Sequence, residues 1–286
     1  TLEIHLPPKK FATGEALIIF PGGGYKNLAY EWEGISVSNF YNSKGIATFI
    51  LKYRHPQSKS VKTSHLAPLQ DAQRAVRIVR KNAVKWNLRN ADYVYSFGGK
   101  IDEILLELGM KAHEILQQSN GVSGDWLAEH PTPNNQIRKF VFVGRAERRK
   151  GIEELNKAIV LLMEMKTDFE FTFIGPIPEK AQIKDDRITY LGEIRNAEEI
   201  KAVLLSQDCL VCPSHAEGMP TVILEAMACG LAIIGTNVGA VERQIQGNGL
   251  LLEKADINAL EEAMTTIANL EDEFLTRLKQ KSIELI

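Results

Sequence analysis

The chain has 286 residues, of which 44% are hydrophobic, 24% charged and 7% aromatic, and this ordinary globular composition excludes disordered, collagen-like and low-complexity classes of protein. A length of 286 residues favours two domains. The formal net charge is −2 at pH 7, and no apolar run approaches the roughly 18 uncharged residues that a membrane span needs, so we expect no transmembrane segment.

The first 90 residues alternate strand-length apolar runs with helical patterns. The run 16–20 predicts a buried strand that ends at a Pro-Gly-Gly-Gly turn, and 46–53 predicts a second strand. Helices are predicted at 31–43 and 69–86. Because consecutive strands separated by helices need crossover connections, this order predicts parallel pairing.

The same alternation continues through the rest of the chain and predicts an α/β fold built on parallel sheets. A cluster of Asp, His, Pro, Thr and Asn at 123–136 predicts a linker, so we expect one domain at 1–122 and another at 123–286. The predicted strands are 93–95, 140–143, 169–174, 188–191, 209–212, 231–235 and 250–252, and the predicted helices are 101–108, 151–165, 197–205, 221–228, 257–270 and 274–285.

Charge is unevenly distributed along the chain. Residues 1–90 contain 14 Lys and Arg against 5 Asp and Glu, whereas the remaining residues contain 20 and 31. A basic half of this kind could face anionic lipid or nucleic acid. Because its cations, such as Lys9, Lys52 and Arg80, are spread over several predicted elements, we favour two differently solvated domains. We therefore expect no nucleic-acid partner and keep peripheral membrane contact open.

The three cysteines, Cys209, Cys212 and Cys229, are too few for a disulfide framework, so we expect a reducing, cytoplasmic location. Cys209 and Cys212 have the Cys-x-x-Cys spacing of some metal and redox sites. On a predicted strand, however, residues three apart point to opposite faces. We therefore expect both thiols to pack in the core and expect no metal site.

The most informative segment is 213–230, which reads Pro-Ser-His-Ala-Glu-Gly-Met-Pro-Thr-Val-Ile-Leu-Glu-Ala-Met-Ala-Cys-Gly. A buried strand ends at Pro213, and a short turn leads into a helix. Gly218 lets the backbone approach a ligand, and the N–H groups and dipole at the helix start favour an anion such as a diphosphate. Glu217 lies in the turn, and Glu225 lies inside the helix, where its carboxylate could accept hydrogen bonds from ribose hydroxyls. The alternative is a solvated acidic pair.

A second pattern that suits an anion lies upstream. Gly144 and Arg145 follow the predicted strand 140–143, and Lys150 and Gly151 open the next helix. Ligands of parallel sheets bind at the carboxyl ends of the strands, so the two cations could converge on one phosphate group and offset its charge. The alternative is ordinary surface charge.

In this order the motifs resemble the C-terminal, donor-binding domain of family 4 retaining glycosyltransferases, which have the GT-B architecture of two Rossmann-like domains facing a cleft. The resemblance covers about 92–286, and Asn-Gly-Val at 120–122 resembles the family's domain junction. It rests on Val143-Gly-Arg145 with Lys150-Gly151, on Phe173-Ile-Gly175, on Tyr190-Leu-Gly192, and on Glu217 and Glu225 separated by seven residues.

The resemblance implies transfer of a sugar from a nucleotide diphosphate with retention of configuration, with no required metal and no bound cofactor. It implies catalytic roles for Glu217, beside the donor sugar, and for Arg145 and Lys150, on the diphosphate. It places Glu225 on the ribose. The implied partners are a nucleotide-diphosphate sugar and a carbohydrate or lipid acceptor. The remaining implied donor-binding residues are Gly144, Leu191, Gly192, Gly218, Met219, Pro220 and Thr221.

Residues 1–88 do not resemble the acceptor domain of that family. They resemble the beginning of α/β-hydrolase carbohydrate esterases, so the fold we expect here is a partial hydrolase-type half. The resemblance implies that Gly23 and Gly24 are a remnant of an oxyanion hole, and a tight strand-to-helix turn is the alternative. The motifs are Ile-Ile-Phe-Pro-Gly-Gly-Gly-Tyr at 18–25, Glu-Trp-Glu-Gly at 31–34, Leu-Lys-Tyr-Arg at 51–54 and Pro-Leu-Gln-Asp-Ala-Gln-Arg-Ala at 68–75.

The nucleophile of such an esterase is not recognisable. A Gly-x-Ser-x-Gly elbow is required, but 94–99 reads Val-Tyr-Ser-Phe-Gly-Gly, so we expect that Ser96 is not a nucleophile. We interpret the chain as a composite joined near 87–92, in which half a hydrolase sheet exposes an apolar edge unless the strand at 92–95 pairs with it. We favour a glycosyltransferase-type protein, and the alternatives are a carbohydrate esterase and a non-catalytic fusion.

Overall fold

A computed structural model of the protein describes residues 1–22, 27–55, 67–88, 94–107, 110–128 and 137–286. The chain divides into two compact units, Thr1–Asp92 and Tyr93–Ile286. This division falls at the segment where the two resemblances meet, whereas the predicted linker lies further along. Residues before that linker pack within the second unit, since the Asn120 side chain donates a hydrogen bond to the Met219 carbonyl oxygen at 3.0 Å.

The first unit contains a three-stranded sheet with β1 at Leu2–His5, β2 at Ala16–Ile19 and β3 at Ala47–Leu51, in the order β1-β3-β2. As predicted, β2 and β3 are parallel. The sequence analysis did not predict β1, which lies antiparallel to β3. Among the described residues β2 pairs only with β3, so its second edge has no strand partner.

Helices cover this small sheet. The predicted helix at 31–43 consists of a π-helical segment, Tyr30–Ser36, followed by α1 at Val37–Ser43. Helix α2 spans Ala67–Lys81, and its Val79 packs with Phe49 of β3 in the core of the unit. Trp86 packs on the Phe49 ring at 5.0 Å between centroids, in the core of the unit.

The second unit begins with a two-stranded parallel sheet of β4, Val94–Ser96, and β5, Ile115–Gln117, joined through α3, Lys100–Glu107. The predicted strand at 93–95 therefore exists, but it pairs with β5, which the sequence analysis missed. It does not extend the sheet formed by β1, β2 and β3.

A six-stranded, fully parallel sheet forms the body of the second unit, in the order β11-β10-β9-β6-β7-β8. Each predicted strand and helix of this part of the chain is present. The strands are β6 Arg138–Val143, β7 Phe169–Ile174, β8 Ile188–Tyr190, β9 Cys209–Cys212, β10 Ala232–Thr236 and β11 Gly249–Leu252, and the helices are α4 Ile152–Glu164, α5 Ala197–Leu205, α6 Thr221–Ala228, α7 Val241–Gln244, α8 Ile257–Ala268 and α9 Asp272–Glu284.

Both faces of this sheet are buried, as crossover helices on a parallel sheet require. Cys209 belongs to the hydrophobic cluster on one face, together with Phe140 and Leu155. Cys212 belongs to the cluster on the other face, together with Ile223. The two thiols therefore point in opposite directions, which confirms that they are core residues.

No helix in the described ranges is long and apolar enough to cross a membrane.

Candidate functional site

The carboxyl ends of β6 and β9 bring the two predicted anion-binding segments together. Gly151, at the start of α4, adopts a φ of +68° and lies so close to Pro213 that a Cβ atom on it would be 1.8 Å from the Pro213 carbonyl oxygen. The His215 N–H donates a hydrogen bond to the Arg149 carbonyl oxygen at 2.8 Å. The turn that carries Lys150 is therefore held against the loop that carries Glu217.

Glu217 is the most enclosed acidic side chain of this region, with 7% of its side chain exposed. Its Oε1 atom accepts hydrogen bonds from Lys150 Nζ at 2.6 Å and from Ser214 Oγ at 2.7 Å. Its Oε2 atom accepts a hydrogen bond from Arg149 Nη1 at 3.3 Å. Both oxygens of a nearly buried carboxylate are thus hydrogen-bonded, and two cations compensate its charge.

Arg145 lies at the other end of the same chain of charges. Its side chain is 54% exposed, and its Nε atom is 3.3 Å from Glu147 Oε1. Arg149 Nη2 is 3.5 Å from Glu147 Oε2, so the order of contacts is Arg145, Glu147, Arg149, Glu217 and Lys150. Arg145 and Lys150, which we expect to bind one anion, are connected in the structure through three intervening charges.

The sequence analysis missed three members of this network, Glu147, Arg149 and Ser214. The signal that could have found the first two is the run Glu-Arg-Arg-Lys at 147–150, which places one acid and three bases immediately before the helix. Ser214 could have been found from its position three residues before Glu217 in the loop that follows a buried strand.

The turn before α6 is held by its carbonyl oxygens. The Gly218 carbonyl accepts a hydrogen bond from the Ala240 N–H at 2.8 Å, and the Pro220 carbonyl accepts one from Gln244 Nε2 at 3.1 Å. No described residue accepts a hydrogen bond from the N–H groups of Gly218, Met219 or Thr221. Among the described residues these N–H groups at the helix start have no hydrogen-bond acceptor, which suits them to bind an anion.

Glu225 lies one helical turn inside α6 and is half-buried. Burial raises the pKa of its carboxyl group above the ordinary value. None of the described residues forms an ion pair with it, so it stands apart from the charge network that contains Glu217. The four predicted charged residues thus form one connected group of three and one separate carboxylate.

The predicted donor-binding residues Leu191 and Gly192 follow β8. The Gly192 carbonyl oxygen accepts a hydrogen bond from the Gly175 N–H at 2.7 Å, and the Leu191 side chain is 41% exposed. The turn after β8 is thereby tied to the turn after β7, and it presents an exposed apolar side chain.

Of the predicted esterase features, Gly23 and Gly24 lie outside the described residues. Ser96 is buried, and its Oγ atom accepts a hydrogen bond from the Gly98 N–H at 3.0 Å. No histidine in the described ranges is hydrogen-bonded to Ser96, so the described part of the chain shows no Ser-His pair there.

Residues 137–269 match the family model Glycosyl transferases group 1. This segment is therefore similar to glycosyltransferase group 1 domains. All predicted donor-binding positions between Gly144 and Glu225 lie within it.

Curated relatives agree with this similarity to glycosyltransferase group 1 domains. The chain is 36% identical over 129 residues to the candidate teichuronic acid biosynthesis glycosyltransferase TuaC of Bacillus subtilis. The aligned segment covers 45% of this chain and 32% of TuaC. It is 32% identical over 118 residues to a D-inositol 3-phosphate glycosyltransferase of Pseudarthrobacter chlorophenolicus. The aligned segment covers 37% of this chain and 28% of that enzyme.

A third relative belongs to a different class of enzyme. The chain is 33% identical over 96 residues to an acetylxylan esterase of Xylanibacter ruminicola. The aligned segment covers 32% of this chain and 19% of the esterase. The chain therefore spans about a third or less of the length of each of these three relatives.

Solved structures show the same α/β fold as this segment and its neighbouring elements. A variant of S. aureus TarM in complex with fondaparinux, α-GlcNAc-glycerol and UDP has a TM-score of 0.62 at 16% identity, over 97% of this chain and 53% of TarM. Anabaena HepE in complex with UDP-glucose has a TM-score of 0.56 at 17% identity, over 77% of this chain and 64% of HepE. Both are GT-B neighbours of this fold.

Proposed function

We propose that the second unit binds a nucleotide-diphosphate sugar and that the parent chemistry of the chain is retaining glycosyl transfer. In that reaction the bond between the anomeric carbon and the diphosphate breaks, an acceptor hydroxyl forms the new bond, and the configuration at the anomeric carbon is retained. The observation that carries the proposal is the contact of Lys150 and Arg149 with Glu217 at the carboxyl ends of parallel strands within the segment that is similar to glycosyltransferase group 1 domains.

The roles follow from charge and position. Lys150 and Arg145, with the N–H groups of Gly218 and Met219, suit the departing diphosphate because its charge increases as the sugar leaves. Thr221, Pro220 and the short turn they complete fix the direction of those N–H groups.

We assign the two carboxylates to the two sugars of the donor, Glu217 to the transferred sugar and Glu225 to the ribose. Glu217 lies beside Lys150, so its carboxylate is close to where the donor sugar would meet the diphosphate. Glu225 has no ion-pair partner among the described residues and could accept hydrogen bonds from ribose hydroxyls. The backbone at Gly144, Leu191 and Gly192 would meet the phosphates and the base.

A uridine nucleotide is the first donor to test. HepE was solved with UDP-glucose and TarM with UDP, and these neighbours support the choice through shared fold. The acceptor is proposed to be a carbohydrate or a lipid, with no nucleic-acid partner, and peripheral contact with a membrane is compatible with the basic first unit. A cytoplasmic location fits three free, buried thiols.

Calorimetric titration tests the proposal. We expect UDP and at least one of UDP-glucose, UDP-N-acetylglucosamine and GDP-mannose to release or absorb heat on binding, and we expect Glu225→Ala to weaken binding at least about tenfold. Glu262→Ala, which removes an exposed glutamate from α8, is the matched control. Absence of heat with all four ligands, or an unchanged affinity in Glu225→Ala, would count against a donor site.

Residues 1–88 are proposed to derive from the beginning of a carbohydrate esterase, without esterase activity. The sequence motifs and the similarity to acetylxylan esterase support this origin. The buried Ser96 with no histidine partner in the described ranges argues against the activity. Hydrolysis of p-nitrophenyl acetate by the whole chain should match the buffer rate. Hydrolysis that disappears in Ser96→Ala would instead favour the esterase alternative.

A further inference from the structure

Arg149 is a charged residue of the candidate site that none of the motifs assigns. Its guanidinium contacts Glu217 Oε2 at 3.3 Å, while the Lys150 ammonium contacts Glu217 Oε1 at 2.6 Å. Two cations from consecutive residues therefore hold the two oxygens of one carboxylate. A pair of cations arranged around a single anionic group is also the arrangement that binds a phosphate.

We propose that Arg149 binds the diphosphate of the nucleotide donor together with Lys150, and that this contact replaces the ion pair of Arg149 with Glu217. This inference rests on the proposed donor function. It adds a third cation to the two that the family resemblance supplies, and it gives Glu217 a second property, that of an internal anion that competes with the donor for the same cations.

The contacts of Arg149 distinguish it from the neighbouring arginines. Its guanidinium donates hydrogen bonds to Glu217 Oε2 at 3.3 Å and to the Ala216 carbonyl oxygen at 3.5 Å, and it forms an ion pair with Glu147 Oε2 at 3.5 Å. Arg148 is exposed, and none of the described residues forms an ion pair with it. A guanidinium that is already oriented loses less conformational freedom on binding, and its planar fork can bind two phosphate oxygens at once.

The charges of the network also favour exchange. Arg145, Arg149 and Lys150 carry three positive charges, and Glu147 and Glu217 carry two negative charges. A diphosphate brings more negative charge than one carboxylate, so it can replace the contact of Arg149 with Glu217 and gain from both cations. Glu147 keeps Arg149 in place during the exchange, because it contacts the other terminal nitrogen of the guanidinium.

A double-mutant cycle on the full chain tests the proposal, with inorganic pyrophosphate and UDP as probes in calorimetry. We expect Arg149→Ala to weaken binding of both probes at least about tenfold, Arg149→Lys to weaken it less, and Arg148→Ala, the matched control, to change it less than about twofold. Glu217→Gln should strengthen pyrophosphate binding, because it removes the competing charge. Arg149→Ala in the Glu217→Gln background should again weaken binding about tenfold.

Three outcomes overturn the inference. If Arg149→Ala has no effect in the Glu217→Gln background, Arg149 only holds Glu217 and does not touch the diphosphate. If UDP binding depends on Lys150 but not on Arg149, the inference fails and the proposed donor site stands. If the unmutated chain binds neither probe, or if Lys150→Ala binds as tightly, the proposed function fails as well. Thermal unfolding of each variant identifies any that does not fold. If Arg149→Ala does not fold, the binding of the two probes to Arg149→Lys tests the inference instead.

Discussion

The Lys279 ammonium, on the last helix α9, lies 3.0 Å from Asp208 Oδ1, immediately before β9, and both side chains are almost fully buried. Lys279 also donates a hydrogen bond to the Gln207 carbonyl oxygen at 3.2 Å. The pair ties the end of the chain to the central strand of the six-stranded sheet.

Replacing Lys279 with Met should therefore destabilise the protein strongly. It would leave the buried Asp208 carboxylate without this cation, and the loss of one partner of a buried ion pair costs about 3 kcal/mol or more. Urea unfolding measures the effect. Lys281→Met is the control on the same helix, since the Lys281 side chain is 41% exposed and pairs only with the exposed Glu284 among the described residues. Its effect should stay within about 0.5 kcal/mol. Equal effects of the two substitutions would contradict the prediction.

Gly151→Ala should lower the free energy of unfolding far more than Gly247→Ala does. Both glycines have a positive φ, +68° and +84°, so each substitution carries a backbone cost of about 1–2 kcal/mol. At Gly151 the new Cβ would also overlap the Pro213 carbonyl oxygen, whereas at Gly247 no atom of the described residues lies within 4 Å of the new Cβ. We expect an additional loss of at least about 1 kcal/mol for Gly151→Ala in urea unfolding, and weaker UDP binding because Lys150 would move. Similar unfolding midpoints for the two variants would contradict this account.

Glu225→Gln should stabilise the folded chain and weaken its ligand binding. Burial raises the pKa of Glu225, so the folded state holds this proton more tightly than the unfolded state does. The stability that the proton contributes is present at low pH and is lost as pH rises above the ordinary pKa of a carboxyl group. At pH 7 we expect the variant to have a higher free energy of unfolding than the unmutated chain, and we expect the difference to shrink towards pH 4.

The ligand side of the same variant is measured by calorimetry with UDP. Binding should weaken severalfold, because a neutral amide forms weaker hydrogen bonds than a carboxylate. A variant that is more stable and binds UDP as well as the unmutated chain would show that Glu225 is buried for packing alone.

The three cysteines should resist thiol reagents until the chain unfolds. Burial raises the pKa of Cys209, raises that of Cys212 to about 11 and raises that of Cys229 to about 12, so little thiolate is present at pH 8. Titration with Ellman's reagent at pH 8 should detect almost no thiol in the folded chain and three in guanidinium chloride. Rapid reaction of one thiol in the folded chain would contradict the burial of that cysteine.

The six-stranded sheet could be predicted from the sequence because its strands are short, continuous apolar runs separated by amphipathic helices. Such runs occur when a strand is covered on both faces, as β6 and β9 are. The same regularity predicted that Cys209 and Cys212 face opposite sides, since alternation along a strand is set by backbone geometry.

The small peripheral elements could not be predicted in this way. β1 has four residues and no apolar run, and only its pairing with β3 makes it a strand. The π-helical start of the predicted helix at 31–43 depends on tertiary contacts, among them the hydrogen bond from the Gly22 N–H to Glu33 Oε2 at 2.6 Å. Contacts between residues distant in sequence decide these elements, and local propensity contributes little.

The sequence by itself indicated that Arg145, Lys150 and Glu217 lie at strand ends and helix starts on one edge of the sheet, but it did not indicate Glu147 or Arg149. Tertiary structure decided which of them touch. Glu217 forms ion pairs with Lys150 and Arg149, which lie about 67 residues earlier in the chain. Arg145 forms an ion pair with Glu147. Interaction between charges depends steeply on separations of a few ångströms and on burial, and neither quantity is encoded in the spacing of residues along a chain.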